Sequence, residues 1–201
     1  MSGATKDATL AKLQPLELPA LIARAELAAE PAAAAAQSTS ASEAVAALEA
    51  RGFLLDAVRL FAHALPKRES VWWACMCARH TSPQDLPAKD RAALEAAEVW
   101  VRRQTDETRR DAMAKAQASG MHTPEAWTAV SAFFSGDSLS VPDQPKVPPA
   151  PELTGKAVYG VVMLASVRGD PTRQQARLTA FLSSARDIAA GGVGRLEPET
   201  A

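Results

Sequence analysis

The chain has 201 residues, with 22 Lys and Arg against 23 Asp and Glu, so its formal net charge at pH 7 is -1. A nearly neutral chain lacks the basic excess with which general nucleic-acid-binding proteins neutralise phosphates, and this class of partner is excluded. Alanine fills 44 positions, whereas the chain has two Ile, one Tyr and no Asn. Because sheets use β-branched and aromatic residues and alanine favours helices, this composition predicts an all-α protein.

The spacing of the cysteines and the hydropathy of the chain indicate in which cellular compartment the protein is expected. The two cysteines, Cys75 and Cys77, lie too close in sequence to join distant elements by a disulfide, and no basic segment followed by an apolar run opens the chain. The longest nearly unbroken apolar run, Ala157 to Val167, has eleven residues, fewer than the roughly 20 that span a bilayer. We therefore expect a reduced, cytoplasmic protein with no membrane partner.

Residues 1–39 are predicted to form a flexible N-terminal segment with one short helix. This helix begins at Pro19, where a missing N–H costs nothing in the first turn, and ends before Pro31. The following residues 32–39 are an alanine run and a polar stretch of low complexity. Alanine buries little surface, so we interpret these residues as a linker.

A single helical domain is predicted over residues 40–190. It begins at Ser40, whose hydroxyl is spaced to form a capping box with the Glu43 carboxylate. The apolar run from Val71 to Ala78 predicts a central core helix, and Thr123-Pro124-Glu125 combines three signals of a helix start. In chain order the predicted helices lie near residues 40–52, 53–65, 71–78, 93–101, 106–119, 124–134, 154–165 and 171–190.

This succession of short helices allows two architectures, a compact multi-helix bundle or a short α-solenoid of about eight helices. Either one buries enough surface to need neither a metal ion nor a disulfide. The final residues 191–201 follow a pair of glycines and are predicted to form a disordered tail.

Residues 137–151 interrupt the helical pattern with prolines. Four of these recur at every third position, which is the period of a polyproline II helix, and predict a stiff strap: Pro142, Pro145, Pro148 and Pro151. Polyproline II segments dock on aromatic grooves, and the chain keeps four tryptophans: Trp72, Trp73, Trp100 and Trp127. We expect the strap to pack across these tryptophans; the alternative is an exposed strap that binds a groove of a partner.

Gly136-Asp137-Ser138-Leu139 matches the four letters that name the GDSL hydrolases. In that family a histidine base follows the serine and an asparagine helps to bind the oxyanion. Here His63, His80 and His122 all precede Ser138, and the chain has no Asn. Since a serine without a base is a weak nucleophile, we interpret the motif as a turn at a helix end and expect no catalytic residue.

Cys75, Cys77 and His80 are residue types that bind zinc. Positions two apart on a helix point about 200° away from each other, so the two thiols cannot share one ion. Cys77 and His80 together supply at most two of the four ligands that zinc needs. We therefore expect cysteines that fill apolar space, and neither a metal nor another cofactor.

Two arginine pairs, Arg102-Arg103 and Arg109-Arg110, flank Asp106 and Glu107. In one continuous helix these charges are spaced to neutralise each other; alternatively, Thr105 caps a new helix. Both arrangements predict a solvated charged face rather than a site for an anionic ligand.

Three stretches carry a resemblance to a known group: Ala57-Val58-Arg59-Leu60, Val71-Trp72-Trp73-Ala74-Cys75, and Phe134 to Leu139 leading through the prolines into Leu153-Thr154. Over about residues 40–190, the chain resembles an uncharacterised bacterial all-helical family associated with gene clusters for type VI secretion spike and effector-loading proteins. The matching residues are of the packing type, so no catalytic residue is carried over. The resemblance implies an adaptor or accessory chaperone that holds a spike, effector or other cargo by protein–protein contact.

We therefore expect a non-enzymatic protein–protein interaction module. Two rival hypotheses stay open. The first is a small-ligand-binding module whose pocket lies among the tryptophans. The second, less favoured, is a hydrolase that uses Ser138.

Overall fold

The computed structural model describes residues 10–199, which form ten α-helices, one short 3-10 turn and no strand. The all-α prediction is confirmed. The helices are α1 Leu18–Ala25, α2 Ala29–Ala35, α3 Ala41–Ala50, α4 Leu54–Ala64, α5 Lys67–His80, α6 Ala88–Arg103, α7 Asp106–Ser119, α8 Pro124–Phe134, α9 Leu153–Ser166 and α10 Gln174–Ala189. The 3-10 turn, Pro171–Arg173, leads directly into α10.

The helices form a compact bundle with α5 at its centre. Helix α5 packs against α6, α8, α9 and α10, and α10 returns from the end of the chain to contact α4, α5 and α9. In a solenoid each repeat contacts only its sequence neighbours, so these contacts between distant helices distinguish the bundle from the solenoid.

The apolar run on α5 explains the central place of that helix. Val71, Trp73 and Ala74 are fully buried, and the Trp73 indole N–H donates to the Phe181 carbonyl of α10 at 2.8 Å. The Trp73 ring also lies 6.3 Å from the ring of Phe61 on α4. One large aromatic side chain therefore joins three helices, because its apolar rings fill the core while its N–H finds a carbonyl.

Alanine supplies much of the helix packing. Helices α6, α7 and α8 pack on one another, and the alanines that face these contacts have no exposed surface: Ala93, Ala97, Ala112, Ala116 and Ala129. Short side chains let helix backbones approach closely. The high alanine content thus serves packing as well as helix propensity.

Three hydroxyl side chains begin helices as their sequences predict. Ser40, Thr105 and Thr123 each accept a hydrogen bond from the backbone N–H three residues on. The Glu43 carboxylate, however, accepts from the N–H of Thr39 at 2.8 Å rather than from that of Ser40. The cap at the start of α3 therefore includes one residue more than the predicted capping box.

The linker predicted at residues 32–39 is wrong over its first half. Helix α2 extends to Ala35, packs against α3 and buries Ala34 and Ala35. Pro31 does not end a helix but lies in the first turn of α2, where the absent N–H has no helical partner to lose. Residues 10–39 pack on the bundle instead of forming the expected flexible segment; residues 1–9 lie outside the described part of the chain.

The C-terminal segment, residues 191–199, is ordered where a disordered tail was predicted. Trp72 donates its indole N–H to the Val193 carbonyl at 2.8 Å, and the Glu199 N–H donates to the His80 carbonyl at 2.8 Å. Polar groups at both ends thus fix a segment with few apolar residues. Residues 200 and 201 lie outside the described range.

Candidate functional site

The Pro-rich loop, residues 137–151, turns back on itself between α8 and α9. Leu139 N–H donates to the Val147 carbonyl at 2.7 Å, and Asp143 adopts a positive φ of 67° within the turn. The buried Ser138 hydroxyl accepts from the N–H groups of Ser140 and Val147 at 3.2 and 3.1 Å. These bonds give the loop a defined shape that differs from a straight strap.

Two arginines of α7 bind the backbone of this loop. Arg109 is only 2% exposed and donates to the Ser138 carbonyl at 2.6 Å, while Arg110 donates to the Ser140 carbonyl at 2.6 Å. Asp106 forms ion pairs with both arginines, and the hydrogen bond from Arg110 contributes most to lowering the pKa of this carboxyl. The backbone of the loop is therefore attached to α7 by charge-assisted hydrogen bonds.

The prediction of a wholly solvated arginine face is wrong for Arg109. A left-handed Gln104 ends α6, so Thr105 caps a separate helix and the chain direction changes. Arg102 and Arg103 stay exposed at the end of α6, whereas Arg109 turns into the protein beneath the loop. Its burial is compensated by the carbonyls of Phe133 and Ser138 and by Asp106.

Four of the five prolines of the loop are exposed, and Pro149 is half-buried. All four predicted strap residues are exposed: Pro142, Pro145, Pro148 and Pro151. Beside them, Val141 and Val147 are 64% and 54% exposed. The prediction that the strap packs across the tryptophans is therefore wrong, because arginine hydrogen bonds rather than apolar contacts hold the loop.

The four tryptophans serve separate parts of the bundle. Trp73 and Trp100 are buried, and Trp72 is half-buried beside the C-terminal segment. Trp127 donates to the Met121 carbonyl at 3.0 Å at the start of its own helix. The structure does not bring these residues together around one pocket, so the rival prediction of a tryptophan-lined ligand site loses its geometric basis.

The remaining motif residues have structural partners. The Ser138 hydroxyl bonds to backbone N–H groups, and within residues 10–199 no histidine hydrogen-bonds to it.

Cys75 and Cys77 are fully buried thiols whose pKa is raised by burial. His80 donates from Nδ1 to the Glu197 carbonyl, and its Nε2 lies 3.6 Å from a Glu199 carboxylate oxygen. In the described part of the chain, no three His, Cys, Asp or Glu residues are placed to hold a metal ion.

A cavity that sequence reasoning missed lies next to the end of the Pro-rich loop. We call it the His63 cavity; it has a volume of about 230 Å³. Polar side chains from four helices and from the segment before α1 line it: Gln14, Arg24, His63, Lys67, Ser70 and Thr154. Pro149 and Pro151 of the loop form part of its wall. No motif marks these residues, because they are distant in sequence and only the packing of α1, α4, α5 and α9 assembles them.

His63 lies on α4 at the inner wall of this cavity and is 4% exposed. Burial, followed by the charges of Arg24 and Lys156, lowers the pKa of His63 to about 4, so the imidazole is neutral at neutral pH. Gly155 makes room for the ring, since a Cβ at this position would lie 2.3 Å from Nδ1. The cavity therefore presents a neutral, tightly packed imidazole.

Within residues 10–199, no helix combines the length and the hydropathy required to cross a bilayer.

Comparison with known proteins identifies a family. Comparisons with curated proteins and with solved structures give no match. A profile described as a family of unknown function (DUF6931) matches residues 44–189, which is more than half of the chain. This supports the expected membership in an uncharacterised family, while the association with type VI secretion stays a prediction. Since the profile extends from α3 to the end of α10, the chain belongs to the DUF6931 family.

Proposed function

We propose that this protein is a non-enzymatic interaction module that binds a partner protein through the Pro-rich loop. The observation that carries the proposal is the contrast within this loop. Its backbone is attached to α7 through Arg109 and Arg110, while four of its five prolines and the side chains of Val141 and Val147 face solvent.

A loop with this construction is suited to binding. Ordering a flexible segment costs free energy when a complex forms, and a loop that is already held loses less. Because the loop turns at Asp143, its prolines do not form one straight polyproline II edge; the exposed prolines and the two valines form an apolar surface instead, of the kind that aromatic side chains cover. We therefore infer a partner with an aromatic groove that covers the two valines.

A narrower version of the proposal names the partner class. The resemblance of residues 40–190 supports an adaptor or accessory chaperone for a type VI secretion spike or effector, acting in the cytoplasm without nucleic acid or membrane. All of the polar support for the loop lies in residues 106–147, within the part of the chain that the family profile matches. The proposed partner surface therefore lies within the portion that the family profile matches.

The test is affinity capture from the native host followed by mass spectrometry, with the wild-type chain and the double variant Val141→Ser/Val147→Ser. We expect one stoichiometric partner with the wild type and at least about a tenfold loss of its recovery with the variant, since covering the exposed part of each of the two valines contributes roughly 1 kcal/mol. Identification of that partner as a spike or effector component supports the narrower version.

The matched control is Val193→Ser, because Val193 is 66% exposed but lies in the C-terminal segment. This variant is expected to recover the partner as well as the wild type does. The proposal fails if no stoichiometric protein is captured, or if the loop variant and the control recover equal amounts.

Small-ligand binding is a second candidate function. The His63 cavity supports it, rather than the tryptophan-lined pocket that the sequence predicted. The tryptophans are dispersed, but polar side chains from five parts of the chain line the His63 cavity. Its chemistry indicates a specific class of ligand.

A further inference from the structure

The His63 cavity lies where the first turns of two helices meet. Lys67 is the first residue of α5, and Thr154 and Gly155 belong to the first turn of α9; all three line the cavity. Neither helix has a side-chain cap at its N-terminus. First-turn N–H groups have no partner within a helix and carry partial positive charge, so they favour an anion.

Two full positive charges reinforce this field. Arg24 and Lys67 both line the cavity, and no carboxylate side chain does. Among the described residues neither cation forms an ion pair. Burial, followed by the charge of Arg24, lowers the pKa of Lys67, so the two cations lie close enough for repulsion. An anion between them would remove this repulsion.

The acidic groups nearby do not occupy the cavity. Glu26 and Glu152 act on His63 at longer range, and Glu26 pairs with Lys156 at 2.8 Å on the other side of the imidazole. The side that faces Arg24 and Lys67 therefore keeps its positive charge.

His63 supplies an unpartnered polar group inside the cavity. Its side chain is more than nine-tenths buried and forms no hydrogen bond with another described residue. Within residues 10–199 no fully buried side-chain nitrogen or oxygen lacks a partner, so the ring nitrogens of His63 keep some accessible surface, and the residue lines both this cavity and the pocket beside Lys156. A neutral imidazole has one N–H donor, which is available to a ligand oxygen.

We propose that the His63 cavity binds a small tetrahedral oxyanion, either free phosphate or the phosphate group of a small phosphorylated compound. Two cations, two helix N-termini and one imidazole N–H offer more donors than a single carboxylate can accept, whereas phosphate presents three or four oxygens and up to two negative charges. The volume of about 230 Å³ lies below the roughly 300 Å³ at which pockets for drug-sized ligands begin, so the ligand is small.

Isothermal titration calorimetry with inorganic phosphate tests the proposal, with chloride at matched ionic strength as the reference. We expect saturable binding of phosphate by the wild-type chain. Lys67→Gln and Arg24→Gln should each weaken the affinity about tenfold or more, since each removes a charge-assisted hydrogen bond. Both side chains are half-buried at the cavity, so circular dichroism is expected to show folded variants.

Lys89→Gln is the matched control. Lys89 also lies in the first turn of a helix that follows a proline and lacks a side-chain cap, but this helix, α6, begins away from the cavity. Its loss should leave the affinity for phosphate unchanged. Equal weakening by Lys89→Gln, or the absence of phosphate binding beyond that of chloride, overturns the proposal.

Two further titrations distinguish the source of the anion. Phosphoserine that binds more tightly than inorganic phosphate assigns the site to a phosphorylated compound, and the reverse order assigns it to free phosphate. Acetate is expected to bind at least tenfold more weakly than phosphate. If acetate binds as tightly as phosphate, the site selects carboxylates and the proposal is wrong.

Discussion

Gly136 and Arg109 occupy adjoining space beneath the Pro-rich loop. A Cβ at position 136 would lie 2.3 Å from Arg109 Nε, so alanine cannot enter without moving the guanidinium. We predict that Gly136→Ala lowers the free energy of unfolding by about 1–3 kcal/mol, because the displaced arginine loses hydrogen bonds to buried carbonyls. Urea denaturation followed by circular dichroism measures this change.

Gly160→Ala is the control for this prediction. Gly160 lies within α9 and a Cβ there would meet nothing within 4 Å. Alanine in a helix interior is expected to stabilise the fold by about 0.5–1 kcal/mol. If Gly136→Ala proves as stable as Gly160→Ala, the close contact with Arg109 does not constrain the loop.

At the scale of single residues, the sequence predicts caps better than buried charges. Ser40 and Thr123 are recognisable because the groups they bind lie three residues away. Arg109 is not, since its acceptors at residues 133 and 138 come together with it only after α7 and α8 have packed. His63 is missed for the same reason.

At the scale of structural elements, Glu199 attaches the C-terminal segment to the bundle. Hydrogen bonds from Arg177 at 2.9 and 2.8 Å, which outweigh the opposing effect of burial, lower the pKa of Glu199 below its ordinary value of 4.5. A lowered pKa in the folded state means that the carboxylate stabilises the fold at pH values above 4.5. This contribution is lost as the pH falls through the lowered folded value.

We predict that Glu199→Gln lowers the free energy of unfolding by about 1 kcal/mol at neutral pH, with a difference from the wild type that shrinks as the pH falls below 4.5. Stability measured across this pH range checks the sign. Glu197→Gln is the control. Glu197 lies two residues before Glu199 and forms an exposed ion pair with Arg195, so removal of its charge should have little effect on stability at any pH. A difference for Glu199→Gln that does not change with pH would contradict the role of its charge.

Among the elements, those with an amphipathic pattern or a start signal could be predicted. Helices α3 to α10 were recognisable from caps, prolines and apolar periodicity. Helix α2 was not, because its alanines have high propensity but show no apolar face. The C-terminal segment was missed because it is held by backbone carbonyls and by Glu199 rather than by apolar side chains.

For the whole molecule, composition was enough to predict an all-α fold, but not which helices pack against each other. The contact of α10 with α4 and α5 depends on long-range packing that no local pattern encodes. The same limit applies to the candidate sites. The prolines were identified as a group, yet their exposure follows from the attachment of the loop to α7, and the His63 cavity exists only when α1, α4, α5 and α9 meet.

Cys75 and Cys77 lie where their reactivity reports whether the helical bundle opens. Both thiols of the chain lie in the central helix with no exposed surface. An alkylating reagent can therefore reach sulfur only when α5 separates from its neighbours, and the rate of iodoacetamide incorporation should rise with urea in parallel with global unfolding. Rapid alkylation in the absence of urea would show that the centre of the protein opens on its own.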